Sequence, residues 1–131
     1  MGARLQYAKV IDRELFFKQG AKVHPGLENE VLLLNDEGAA GAFLVLRAWT
    51  EDHGTHTEQW RIEAPGGLLV YESLQRELHM ATDSHVEKLE DEVADLEFDF
   101  ESDDYSAVFT LDEIEVARVR FTVRSNHSVG G

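Results

Sequence analysis

The residues best able to do chemistry lie in one short stretch, Glu51-Asp52-His53-Gly54-Thr55-His56-Thr57-Glu58, where two imidazoles stand three positions apart among carboxylates. Imidazole nitrogen and carboxylate oxygen are the donors that zinc and related transition ions take from proteins. A working site needs both rings to converge, each held in one tautomer by a further partner. The spacing matches no established zinc motif, and structural zinc normally enlists four ligands, so a polar hairpin loop is the plainer explanation. A second set of donors is acidic: Asp103 and Asp104, with Glu101 and with Asp36, Glu37 or Asp52, could surround calcium if their loops met at one end of the molecule. Calcium takes six to eight oxygens, and no EF-hand pattern is present. His53, His56, Asp103 and Asp104 are therefore the metal candidates, and no cofactor is expected.

Enzymatic chemistry finds less support. His24, His53, His56, His79, His85 and His127 could serve acid–base catalysis only if some of them converged with carboxylates in a pocket. There is no nucleophile motif, no glycine-rich phosphate loop and no cysteine. The expectation is a non-enzymatic protein.

The clearest pattern is Asp95-Leu96-Glu97-Phe98-Asp99-Phe100-Glu101, an unbroken alternation of acid and large apolar residue. Side chains on a strand alternate between faces, so the pattern predicts a strand with Leu96, Phe98 and Phe100 in the core and Asp95, Glu97, Asp99 and Glu101 in a row outside. The wider segment 83–104 holds eleven acids against one base, Lys88, and so carries −10 of the net charge of −14. Direct binding to DNA or RNA is disfavoured, because that affinity rests on lysine and arginine neutralising phosphates. A partner protein of basic character fits the acidic row. The same row, with carboxylates roughly 6.5–7 Å apart, could also imitate a polyanion, and its simplest role is to keep a β-rich surface solvated.

At 131 residues with 43% apolar content the chain is long enough for one domain with its own core. Residues 1–125 are expected to form it, with 126–131 as a mobile tail holding a Gly130-Gly131 end and an Asn126-His127-Ser128 sequon. The absence of cysteine rules out disulfides and favours a reducing compartment. The N-terminus lacks the apolar core of a signal peptide, and no run approaches the ~20 apolar residues of a membrane helix. A cytoplasmic protein without membrane contact is expected.

The elements read mostly as short strands separated by turn signals every 8–12 residues or so, the spacing of a sandwich or barrel. Strands are predicted near 5–10, at Leu15-Phe16-Phe17, at 31–34, and over 43–49, where the nearly all-apolar run suits a strand covered on both sides. In 57–62, Glu58 shares a face with Trp60 and Ile62, and Pro65-Gly66-Gly67 turns the chain into 68–71. A further short strand falls at 76–80. The one predicted helix spans 84–94, with Ser84 and Glu87 as a capping box and Val86, Leu89 and Val93 on one face. The C-terminal third predicts an antiparallel hairpin, 105–111 and 117–123, turning at Asp112-Glu113, with Arg118, Arg120 and Arg124 on the outer face.

The segment Asp103-Asp104-Tyr105-Ser106-Ala107-Val108-Phe109 resembles the tyrosine corner of immunoglobulin-like sandwiches, in which a Tyr opening the penultimate strand hydrogen-bonds back to the preceding chain. The resemblance covers some twenty residues and is one of architecture. It implies an all-β fold, an antiparallel two-sheet β-sandwich with at most one short helix, and it implies no function. The expected role is protein interaction or adaptor work through the acidic row, with divalent-metal binding as the alternative.

Overall fold

The computed structural model describes residues 3–125. The fold is built outward from a strand that is buried along its whole length, Phe43–Thr50. Phe43, Val45 and Trp49 point into the main core, while Leu44 and Leu46 point the other way, into a smaller cluster with Ile11, Phe16 and Leu27. A strand covered on both faces needs apolar residues at every position, which explains the unbroken run in the sequence.

In chain order the elements are β1 (Arg4–Asp12), α1 (Arg13–Lys18), β2 (Glu30–Leu33), β3 (Phe43–Thr50), β4 (Gly54–Glu63), β5 (Leu69–Glu72), β6 (Arg76–Met80), β7 (Glu87–Val93), β8 (Ser102–Leu111) and β9 (Ile114–Ser125). The strands form one nine-stranded sheet in the order β5-β4-β8-β9-β2-β1-β3-β7, with β6 also beside β4. The chain is thus nearly all β, as expected. The sheet is mixed, however, rather than antiparallel throughout. β2 runs parallel to both β1 and β9, because α1 and the loop after it carry the chain back before β2 begins, and such a return makes neighbouring strands parallel.

α1 occupies the place where Leu15-Phe16-Phe17 predicts a strand. Asp12 caps it, its carboxylate accepting from the Leu15 amide at 3.1 Å, and Phe16 drops into the smaller core. The predicted helix over 84–94 is instead strand β7, paired with β3 from Phe43↔Val93 to Trp49↔Glu87. Leu89 and Val93 are four residues apart, a spacing that keeps one face in a helix and in a strand alike. The unmet hydrogen-bonding edge of β3 decides for strand.

The predicted strand 95–101 is also corrected. Asp95 adopts φ 62 and turns the chain out of β7, and the segment beyond it is irregular apart from one bridge, Ala39↔Glu97. Phe98 alone is fully inserted, packed against Phe43, Tyr105 and Phe121 with ring centroids 5.1–6.4 Å apart, whereas Phe100 is 47% exposed. Tyr105 Oη donates to the Phe100 carbonyl at 2.7 Å, the backward bond of a tyrosine corner. The strand order and the parallel neighbours of β2 differ from the sandwich that this corner resembles. The hairpin β8–β9 forms as predicted, with Asp112 and Glu113 both at positive φ in its two-residue turn. The tail 126–131, with its sequon and terminal glycines, lies outside the described residues. Among the described residues no helix is long and apolar enough to cross a membrane.

β3 and β4 are joined by a short turn yet take their partners elsewhere: β3 lies between β1 and β7, β4 between β8 and β5/β6. The sheet therefore curls around the main core, to which residues of both ends of the strand path contribute. The seam between these ends is closed by side chains.

Candidate functional site

Three places bring polar side chains together. The first is the seam. Arg47 and Glu58, both about 1% exposed, face each other from the core sides of β3 and β4. The guanidinium grips the carboxylate with both Nε (2.8 Å) and Nη2 (2.5 Å), and Trp49 Nε1 donates to the same carboxylate at 2.6 Å. Asp91 of β7 completes the network, 3.0 Å from Arg47 Nη2 and accepting from Trp60 Nε1 and Arg76 Nη2, each at 2.8 Å. Burial pushes the Asp91 carboxyl up, but the Trp60 N–H and the two guanidinium charges outweigh it and hold the group below its ordinary value. An open cleft of about 420 Å³ lies above this network, walled by Tyr71, Leu74 and Glu90. Among the described residues no buried side-chain nitrogen or oxygen lacks a partner. The network is thus a set of bonds joining β3, β4, β6 and β7 in which every buried polar side-chain atom is already partnered.

The second place is an acidic cleft. The turn 35–38 is fixed by Asn35, whose Oδ1 accepts from the amides of Glu37 (2.9 Å) and Ala39 (3.2 Å). It docks on the irregular segment after β7: Phe98 N donates to Gly38 O at 2.9 Å, and Ala40 N to Leu96 O at 2.9 Å. A Cβ on Gly38 would stand 2.1 Å from the Phe98 carbonyl oxygen, so only glycine permits this approach. Between the two segments lies a hollow of about 310 Å³ lined by Asp36, Glu37, Glu97, Asp99 and Glu101, with the exposed ring of Phe100 beside them and no basic side chain in the lining. Glu101 also accepts from the Ser125 amide. Of the predicted row, Glu97, Asp99 and Glu101 meet here, while Asp95 lies outside the lining.

The third place is the end of the molecule formed by the β3–β4 turn and the loop between β6 and β7. Here His53 Nδ1 meets Asp83 Oδ1 at 2.5 Å, and Asp52, His53 and Asp83 each bring one donor atom within 4.8 Å of the others. His56 bonds through Nδ1 to Asp112 Oδ2 at 2.7 Å, and its Nε2 is 3.7 Å from Asp52 Oδ2. The hydrogen bond and charge of Asp83 hold the exposed His53 ring above its ordinary pKa. The Asp112 bond does the same for His56 against a smaller opposing effect of burial, and His56 in turn draws the Asp112 carboxyl down.

The metal candidates are thereby divided. His53 and His56 share one end, with Asp112 just past the end of β8, whereas Asp103 and Asp104 begin that strand. The length of β8, about 25–30 Å, lies between them. Asp104 is 3.5 Å from Arg120, so a cation already attends it, and Asp103 borders a shallow hollow whose lining also includes Lys9, Glu30 and Arg120. Glu101 does join Asp36 and Glu37, away from Asp52. The arginine row of β9 pairs with Glu63 and Glu115 through Arg118, with Asp104 through Arg120 and with Glu30 through Arg124, rather than with residues 95–101.

The seam residues and Asp83 escape a reading of motifs. Their signal was present in another form: Arg47 interrupts an apolar run, and Glu58 sits on the face of Trp60 and Ile62, each a lone charge on a core-facing position that needs an opposite charge to be buried. No protein-family model matches the chain, and no curated protein matches it.

Proposed function

We propose that the chain is a non-enzymatic protein-interaction domain that receives basic side chains of a partner in the cleft between residues 35–38 and 97–101. The observation carrying this reading is the convergence of Asp36, Glu37, Glu97, Asp99 and Glu101 on one hollow whose lining has no compensating cation. A lysine or arginine entering it gains several carboxylates at once, and its stem can lie on Phe100. Because the hollow is open to water, each charge contact contributes about 0.2–1 kcal/mol and weakens as salt rises. Recognition then rests on several such contacts along a basic segment.

The finer features of the reading are a sandwich-like architecture, in which the two ends of the curled sheet pack over a shared core, and a cytoplasmic location, supported by the cysteine-free sequence. The partner is a protein, since the charge of −14 repels nucleic acid and anionic membrane surfaces alike.

The test is fluorescence anisotropy of a labelled lysine- and arginine-rich peptide with the wild-type chain and with Glu97→Lys/Asp99→Lys. The double reversal should weaken binding at least about tenfold, and wild-type affinity should fall steadily from low to high salt. Equal binding by the two proteins, with circular dichroism confirming that the variant is folded, refutes the assignment.

A further inference from the structure

The two loops that meet at the end of the molecule are fastened to each other before any side chain of the cluster is considered. Glu51 N donates to Asp83 O at 3.1 Å, and Thr50 Oγ1 to His85 O at 2.9 Å. Positive φ at Glu51 and Gly54 tightens the turn that carries Asp52 and His53. Asp52 Oδ1 accepts from the His53 amide at 2.8 Å, which fixes the orientation of its carboxylate.

We propose that Asp52, His53 and Asp83 bind a divalent transition ion of the zinc type, with His56 as the fourth protein group. Zinc bonds of about 2.0–2.2 Å in a tetrahedron place neighbouring donor atoms about 3.4 Å apart. The donors of Asp52, His53 and Asp83 lie within 4.8 Å of one another, with His53 and Asp83 in contact at 2.5 Å, so shifts of about an ångström in the exposed side chains of His53 and Asp83 reach that geometry around Asp52. His56 supplies the second argument. Its Nδ1 is held by the Asp112 carboxylate, and Asp112 is itself anchored by the Thr57 amide at 2.9 Å, while Nε2 lies 3.2 Å from the His53 carbonyl oxygen and 3.7 Å from Asp52 Oδ2, a carbonyl contact that an ion at Nε2 would replace. An imidazole oriented by a carboxylate on one nitrogen is the usual arrangement of a ligating histidine, whose other nitrogen meets the ion.

The donor set also selects the ion. Two carboxylates and two imidazoles provide too few oxygens for calcium, and magnesium prefers an all-oxygen octahedron. Nitrogen donors favour zinc, cobalt, nickel or copper. The competing account is that His53–Asp83 and His56–Asp112 are simply two ion pairs that clasp the loops.

Isothermal titration of zinc chloride into the untagged, EDTA-treated chain separates the two accounts. The site predicts one ion per chain with a dissociation constant in the micromolar range, a rise in the thermal midpoint with zinc, and much weaker responses to calcium and magnesium. Cobalt should give the intense visible absorption of four-coordinate ions. His53→Ala and Asp83→Asn should each weaken zinc binding at least about tenfold, and Asp112→Asn, which acts through His56, about tenfold. His79→Ala, an exposed histidine paired with Glu77, should leave affinity unchanged. No measurable zinc binding, calcium binding as tight as zinc, or undiminished binding in both His53→Ala and Asp83→Asn overturns the proposal. Basic-peptide binding by the acidic cleft uses none of these residues, so the two readings stand or fall separately.

Discussion

Truncating Glu58 to Ala removes the counter-charge of a guanidinium that has no access to water. Arg47 would keep Asp91 at 3.0 Å and the Val45 carbonyl at 3.2 Å, but lose both bonds of its bidentate grip, and Trp49 Nε1 would lose its acceptor. Removing one partner of a buried ion pair costs about 3–5 kcal/mol, and an orphaned buried donor costs about 1–3 kcal/mol by itself. The remaining Asp91 charge offsets part of this, so we expect a loss of about 3–4 kcal/mol and a fall of roughly 10 °C in the thermal midpoint. The companion double variant, Arg47→Met/Glu58→Leu, deletes both charges while roughly conserving volume. It should cost about 2 kcal/mol less than the sum of its single changes, because each single change strands a charge that the double change removes. Urea unfolding followed by far-ultraviolet circular dichroism measures wild type, Glu58→Ala, the two single changes of the cycle and the double variant without relying on Trp49 and Trp60, which belong to the network. A loss below about 1 kcal/mol for Glu58→Ala, or strict additivity in the cycle, would refute the claim that this pair holds the seam.

Two other perturbations test neighbouring claims. The lowered Asp91 pKa means that its contribution to stability is present above the ordinary carboxylate value of about 3.9 and is lost as pH falls through the lower native value. Asp91→Asn should therefore be clearly less stable than wild type at pH 7, with the gap narrowing below about pH 4; a gap independent of pH contradicts the assignment. Gly38→Ala would press a Cβ onto the backbone oxygen of Phe98 and should destabilise by about 2–4 kcal/mol while loosening the acidic cleft. Gly66→Ala, at the similar φ of 91 but in open space, should cost only about 1 kcal/mol, and equal losses for the two would remove the close approach as the cause.

Most strands were legible because local alternation and turn chemistry point the same way as the tertiary structure. The hairpin β8–β9 with its Asp112-Glu113 turn is the plainest case, and the doubly covered β3 is another. The failures share a cause. In β7, Leu89 and Val93 fit either periodicity, and only the distant edge of β3 selects the strand. In 95–101 the alternation is strict, yet one residue, Asp95 at positive φ, breaks the path, and the aromatic cavity formed by Phe43, Tyr105 and Phe121 takes in Phe98 fully, while Leu96 packs partly buried against the core and Phe100 lies half-exposed on the Tyr105 ring. Neither fact is local, so neither can be read from spacing. In the candidate site, His53 and His56 were legible as donor types, but their partners Asp83 and Asp112 come from distant loops that only the sheet brings close.

The acidity of the segment 83–104 acquires a different meaning once each charge is placed. It is divided among jobs. Asp83 and Glu87 face His53 and His85, Asp91 closes the seam between two arginines, Glu92 meets Arg13, and Asp104 meets Arg120. Those carboxylates are committed to the fold or to the loop cluster, and a partner could reach them only by displacing a bond already made. Glu97 and Asp99 form no ion pair among the described residues, and they stand with Asp36 and Glu37 at a hollow. An incoming cation gains there without breaking a bond. Charge density along the sequence would have spread the binding face over the whole segment, whereas pairing withdraws Asp83, Glu87, Asp91, Glu92 and Asp104, and of the remaining acids it is Glu97, Asp99 and Glu101 that converge with Asp36 and Glu37 on one cleft. For the same reason a reversal at Glu92, facing Arg13, should affect stability more than partner binding, and a reversal at Glu97 the converse.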